Sequence, residues 1–378
     1  MAVTLDPNAF FQWMSCFQNF SEINNTVCEP YMPTTDYQAP YYGDQMAEFR
    51  ARYTEFHGYL SLTVCTFGII TNILNIVVLT RKDMMSPTNT ILTGLAVADM
   101  FVMLSYVPYS IHMYIRSHQL ANERYSFSWA VFTLIHAHLT VVCHTVSIWL
   151  TVTLAMWRLL SISFPTNSKK WCCMFRAKCA ILCTYVCCPL FCVPTYLTFT
   201  IREDGRGTNK YTVTFSDSAV RHNHLLERVN FWIFSVLMKL VPCIALTGLS
   251  LALVRVLYVT NVRKHRLKNR NTSCKPTTDR TTKMLLVVLL VFLLTEFPTG
   301  ILALLCGILG KVFFVNVYHN LGEVMDIMAL INSGVNFILY CTMSRKFRQT
   351  FARIFKPNFH HTWIAMPKEP ATLATSVL

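Results

Sequence analysis

The side chains able to do chemistry are few and stand in the most apolar parts of this sequence. Glu296 lies near the middle of Met284 to Leu309, two residues before Pro298. Asp99 is embedded in the apolar stretch LTGLAVADMF, and Lys239 in another apolar run ahead of Pro242. Thr140, His144, Ser147, Thr151, Leu154 and Arg158 recur at spacings of 4, 3, 4, 3 and 4, which sets them on one face of a helix. Glu323, Asp326, Asn332 and Asn336 share closely related faces of a last apolar run. A charged side chain at membrane depth costs roughly 2.5 to 3.5 kcal/mol, so each needs a partner or a wet cavity. Lys239 and His144 are the candidate partners of Glu296. Enzyme chemistry is not expected: the sequence has no Gly-rich phosphate loop, no Ser-His-Asp elbow and no credible metal-ligand spacing. Cys179, Cys183 and Cys187 recur every four residues and read as packing.

The elements that must position these residues are membrane spans. The 378 residues are 53% hydrophobic and only 14% charged, which removes the chain from the soluble class. Seven apolar runs of bilayer length are expected at about Tyr59 to Leu79, Asn89 to Tyr114, Trp129 to Leu160, Ala177 to Phe199, Val229 to Tyr258, Met284 to Leu309 and Asn320 to Met343. The formal charge of +14 is sorted by loop. The faces after spans one, three, five and seven, counting Arg158, Lys178 and Arg255 at the inner ends of their spans, hold 2, 5, 9 and 6 Lys and Arg, whereas the N-terminal tail and the other loops hold 2, 2, 5 and 1. That asymmetry predicts an extracellular N-terminus, a cytoplasmic C-terminus and a multi-pass plasma membrane protein.

The basic loop Val262 to Lys283 is therefore an anchor for anionic lipid or a protein partner, not a nucleic-acid patch. The expected organisation is an extracellular tail over 1–58, a seven-span domain over 59–343, an amphipathic helix on the inner leaflet over 344–356 and a cytoplasmic tail over 357–378. The first tail has no cleavable signal pattern and carries sequons at Asn19 and Asn24, with Cys16 and Cys28 placed to form a disulfide. Phe347, Phe351, Ile354 and Phe355 share one face of the amphipathic segment. Ser376-Val377-Leu378 is a short strand-adding motif for a PDZ-type groove.

Several motifs carry a resemblance to a known family. Asn72 lies in span one, Leu95-Ala96-Val97-Ala98-Asp99 in span two, and Arg158 seven residues before Pro165. Pro242 lies in span five, Pro298 in span six, and Asn336 four residues before Tyr340. With seven spans, these resemble rhodopsin-like G-protein-coupled receptors over the whole membrane domain. The departures are Trp157-Arg158-Leu159 for the usual Asp-Arg-Tyr, Thr295-Glu296-Phe297-Pro298 for Cys-Trp-x-Pro, and Asn336-Phe337 for Asn-Pro. Together with Lys239-Leu240-Val241-Pro242-Cys243, they look like invertebrate receptors related to the myosuppressin, FMRFamide-like and sex-peptide receptors, nematode members above all.

The resemblance implies an all-α seven-helix bundle with a short eighth helix, a short amidated peptide as ligand, and an inhibitory heterotrimeric G protein and arrestin as partners. It implies ligand contacts at Glu296, Asp326, Glu323, Lys239, His144, Thr140, Tyr106 and Tyr109, with Phe297 as a further aromatic. It implies a sodium-binding polar core of Asp99, Ser147, Asn332 and Asn336, and G-protein coupling through Arg158, Tyr340, Arg345 and Lys283. Neither Trp129 to Ala137 nor Thr200 to Arg228 contains a cysteine, so the disulfide usual between those segments cannot form. Tyr211 to Phe215 alternates as a strand and is expected to make the outer hairpin unaided. Two other readings stay open at this level: a chemosensory receptor for a small molecule, and a transporter or channel, against which the absence of an inverted repeat argues.

Overall fold

Long apolar stretches with no water to satisfy their backbones leave the chain one solution, which is helix packed on helix. The computed structural model describes residues 40–116, 121–203, 209–268, 278–309 and 311–355. The sequons at Asn19 and Asn24, the Cys16 and Cys28 pair and Ser376 to Leu378 lie outside the described residues, as does the side chain of Lys283.

The helices in chain order are α1 (Gly43–Leu79), α2 (Pro87–Ser110), α3 (Phe127–Ser163) and α4 (Met174–Phe191). Next come α5, which runs through the abutting segments Asp217–Trp232, Ile233–Leu240 and Val241–Lys268, then α6 (Thr278–Leu309), α7 (His319–Met343) and α8 (Arg345–Phe355). Six of these regions are long and apolar enough to cross a membrane, and α6 adds an apolar segment over Leu293–Cys306. α2 starts where the sequence signals it: Pro87 occupies the first turn and the Ser86 hydroxyl accepts from the Asn89 amide at 3.2 Å. α1 packs against α2 and α7, and α3 against α2, α4 and α5, so α3 threads the middle of the bundle.

Three details differ from the span limits expected. α1 begins at Gly43, not near Tyr59, because the polar stretch before the span contains no helix breaker and lays one face on α7: Thr54 donates to Glu323, and Arg50 lies 2.6 Å from His319. Wide i→i+5 turns occupy Ile111–Ile115, Ile233–Leu240 and Phe314–Tyr318. Each shifts the helical register by about one residue, a feature common at functional sites. Span four ends in two pieces, since Cys192 separates α4 from the short helix Val193–Thr198.

The outer hairpin forms without a disulfide. β1 (Phe199–Glu203) pairs antiparallel with β2 (Tyr211–Phe215). The Tyr211 amide donates to the Tyr125 carbonyl at 2.7 Å, and the Tyr211 ring meets Phe127 edge to face. Beneath it, the Arg124 guanidinium donates to the Met113 carbonyl at 2.6 Å, and His112 stacks on Trp129 with centroids 3.5 Å apart. These contacts do the tethering.

On the opposite end of the bundle, α8 turns off α7 at Ser344. Arg348 donates to the free carbonyls of Cys341 and Thr342 at 3.0 and 2.8 Å, supplying acceptors at the end of α7 with a cation. Phe347 is buried against Tyr340 and Phe337, and Arg353 pairs with Asp83 at 2.6 Å.

Candidate functional site

A cavity of about 300 Å³ opens among α2, α3, α5, α6 and α7. Its volume stands at the lower end of the range for ligand sites. Of the residues singled out from the sequence, Tyr106, Tyr109, Thr140, His144, Lys239 and Asp326 line it. Glu296, Glu323 and Phe297 do not; Phe297 is exposed on the outer face of α6.

At the bottom of the cavity the three chemically distinctive groups meet. Lys239 Nζ lies 3.1 Å from Glu296 Oε2 and 3.1 Å from His144 Nε2. The same imidazole nitrogen lies 3.3 Å from both Glu296 oxygens. Lysine only donates, so His144 Nε2 either accepts from Lys239 or carries a proton to Glu296, and it serves one of them at a time. Glu296 is 1% exposed and lies behind Lys239 and His144 as seen from the cavity. The sequence leaves Glu296 open between a ligand contact and a pairing with Lys239 or His144; the helices bring it to Lys239 and His144, off the cavity lining. Lys239 reaches this point from the wide-turn segment of α5, just ahead of Pro242.

The two acids of α7 part company. Glu323, also 1% exposed, turns toward α1, where the Thr54 hydroxyl lies 2.9 Å from both carboxylate oxygens. Asp326, one turn on, faces the cavity and accepts from the Tyr106 hydroxyl, which is itself 2.9 Å from His57 Nε2. Tyr109 stacks on His136 with centroids 4.4 Å apart, and Thr140 lies 3.4 Å from the His136 ring and 3.5 Å from Ser105. The cavity wall therefore carries one carboxylate with a phenol on it, aromatic faces and, at the floor, an ammonium already neutralised by a carboxylate.

Deeper in the bundle Asp99 is 1% exposed. The Ser147 hydroxyl donates to its Oδ1 at 2.7 Å and Asn336 Nδ2 to its Oδ2 at 3.3 Å, with Ser333 hydrogen-bonded beside them. Asn332, half-buried, is not among the groups bonded to Asp99; Ser333 takes its place, and the sequence reading missed it. The signal was present, because Ser333, Asn336 and Tyr340 follow a spacing of 3 and 4 and Asn332 falls one residue out of phase. Asn72 ties α1 to the same place by donating to the Ser333 carbonyl at 3.0 Å. One carboxylate, two hydroxyls and an amide make an oxygen set that fits a hard cation.

At the cytoplasm-facing end predicted from charge, Arg158 is half-buried on α3 with its Nε unpartnered, near Tyr340 and Cys172. Among the described residues no carboxylate pairs with it. Trp157 is buried, and the Tyr340 hydroxyl is buried without a hydrogen-bond partner among the described residues. Arg345 is exposed at the start of α8.

Comparison with known proteins agrees with this architecture. Residues 59–358 match the family of serpentine-type 7TM GPCR chemoreceptors, Srw. The chain is similar to the "G-protein coupled receptor dmsr-1" of Caenorhabditis elegans, at 32% identity over 351 residues, covering 81% of this chain and 69% of that one. It is similar to the "Sex peptide receptor" of Drosophila melanogaster, at 29% over 316 residues, 79% of this chain and 72% of that one. It is similar as well to the "FMRFamide receptor" of Drosophila melanogaster, at 28% over 313 residues, 79% of this chain and 53% of that one. A bundle of membrane helices around a mostly apolar cavity with a few charged and polar groups, a family match across all of it and such relatives together place the protein: it belongs to the seven-transmembrane G-protein-coupled receptors, with the rhodopsin-like neuropeptide receptors, and is not an enzyme.

Proposed function

We propose that the chain is a receptor for a short amidated peptide of the FMRFamide-like or myosuppressin-like kind, which it binds from outside and reports to an inhibitory heterotrimeric G protein. The N-terminus is extracellular and the C-terminus cytoplasmic, as the loop charges support. Asp326 carries the ligand reading. It is the carboxylate that faces the cavity, whereas Glu296 is neutralised by Lys239 and Glu323 is turned to Thr54. A peptide arginine grips such a carboxylate through two parallel hydrogen bonds, and Tyr106 and Tyr109 offer ring faces to the neighbouring aromatic residue.

Inside the bundle, Asp99, Ser147, Ser333 and Asn336 would hold a sodium ion that favours the resting state. At the inner face, Arg158 and Tyr340, with Arg345 and Lys283 at the rim, engage the G protein and afterwards arrestin. α8 lies on the inner leaflet, and Ser376 to Leu378 recruit a PDZ-type protein.

The test is a screen of amidated peptides on cells expressing the chain, read as nucleotide exchange on a co-expressed G protein. With the best agonist, Asp326→Asn is expected to lower potency about 10- to 100-fold, as a lost charged hydrogen bond of about 1.5–3 kcal/mol requires. Glu323→Gln stays within about a factor of two, since its oxygens are held on the α1 side. Equal potency in wild type and Asp326→Asn rejects the salt-bridge reading, and ion flux without a G protein would instead mark a channel.

A further inference from the structure

We propose that the floor of the cavity reads the C-terminal end of the peptide, and that Glu296, by neutralising Lys239, makes the floor select a carboxamide over a free carboxylate. This rests on the peptide reading above and adds a specificity-determining pair to it.

The cavity is too small to take more than one end of a peptide at its base. The groups waiting there are Lys239 and His144. An ammonium has three donors and no acceptor. Lys239 commits one to Glu296 at 3.1 Å and directs another at His144 at 3.1 Å, which leaves a third for whatever enters the cavity. The N-terminal end of a peptide carries an ammonium, which like the lysine only donates, so the two cannot hydrogen-bond to each other. The C-terminal end carries acceptors, so it is the end that fits.

Whether that end is amidated then decides the charge balance. Lys239 and Glu296 form a buried pair, 9% and 1% exposed, whose charges cancel. A carboxamide is neutral: its oxygen accepts the third lysine proton, and its NH2 group can donate to hydroxyls of the cavity wall, of which Thr140 is one. A carboxylate would bring a second anion to a lysine already compensated, with Glu296 directly behind it and Asp326 on the wall. In a low-dielectric site that uncompensated charge is strongly disfavoured. Glu296 thereby acts without touching the ligand. It does not line the cavity, yet it fixes the net charge that the ligand end meets.

The experiment compares one agonist peptide as its amide and as its free acid on wild type, Glu296→Gln and Asp326→Asn, with the amount of receptor at the surface measured alongside. Wild type is expected to prefer the amide by more than about tenfold, the equivalent of 1.4 kcal/mol. In Glu296→Gln the lysine stands uncompensated, and the amide-to-acid preference falls by about tenfold or reverses. Asp326→Asn weakens both forms and moves the ratio far less than Glu296→Gln does, since Asp326 lies on the wall and not against Lys239. Should Glu296→Gln fail to reach the surface, Glu296→Asp, which keeps the charge but draws it back from Lys239, is expected to lower the preference partway. A wild-type ratio in whichever of the two Glu296 variants reaches the surface overturns the role of Glu296 while leaving the peptide reading intact. A wild type that answers no amidated peptide overturns both.

Discussion

A carboxylate inside a membrane helix is held there by its partners, and for Glu296 these are Lys239 and His144. Removing one member of a buried pair leaves the other charge uncompensated, at about 3–5 kcal/mol, whereas replacing both by neutral groups of similar size is close to neutral. Lys239→Met and Glu296→Gln are therefore each expected to lower the thermal midpoint of the detergent-solubilised receptor, and the double variant to recover most of the loss. Additive losses in that cycle would show that the two charges do not depend on each other. The sequence named these partners because a lone acid among apolar residues requires a cation, and Lys239 was the lysine lying within an apolar run. It did not show which α7 acid faces the cavity. Glu323 and Asp326 are one turn apart, and their separation comes from Thr54, on a part of α1 that reads as a polar tail.

Helices turn single residues into faces, and here the phase of α7 decides the polar core. Rotating by one residue moves a side chain through about 100°, enough to exchange Asn332 for Ser333 beside Asp99. If the oxygen set holds sodium, agonist affinity falls as sodium rises. Ser333→Ala, like Asp99→Asn, is expected to abolish that dependence, while Asn332→Ala preserves it. Titrating sodium against a fixed agonist in membranes checks this, and Asn332→Ala alone abolishing the effect would overturn the assignment. The apolar runs made the spans legible, and strand alternation in Tyr211 to Phe215 made the hairpin legible. The wide turns at 111–115, 233–240 and 314–318 were not, because they leave no mark in composition. They matter to the site, for Lys239 and Tyr318, both on the cavity wall, stand in two of them.

Across the whole molecule, a signal must pass from the cavity to the far end of the bundle, and α6 is placed to carry it. Its acid is locked to α3 and α5 at Glu296, and Pro298 lies two residues further along, where a missing backbone donor lets the helix bend. Arg158 has no carboxylate partner among the described residues, because Trp157 stands where an acid would and is buried. Among the described residues no ion pair at Arg158 opposes movement of α6 away from α3, which leaves the Lys239, His144 and Glu296 cluster as the polar link that ties α6 to α3 and α5. The receptor is therefore expected to drive nucleotide exchange without ligand, above the level of cells lacking it, and Arg158→Ala to bring that basal exchange to background at equal surface amount. Glu296→Gln, which frees α6 from α5, is expected to raise basal exchange above wild type. Basal exchange no higher than in receptor-free cells, or unchanged by Arg158→Ala, would mean that contacts other than an ion pair at Arg158 hold the inner face closed.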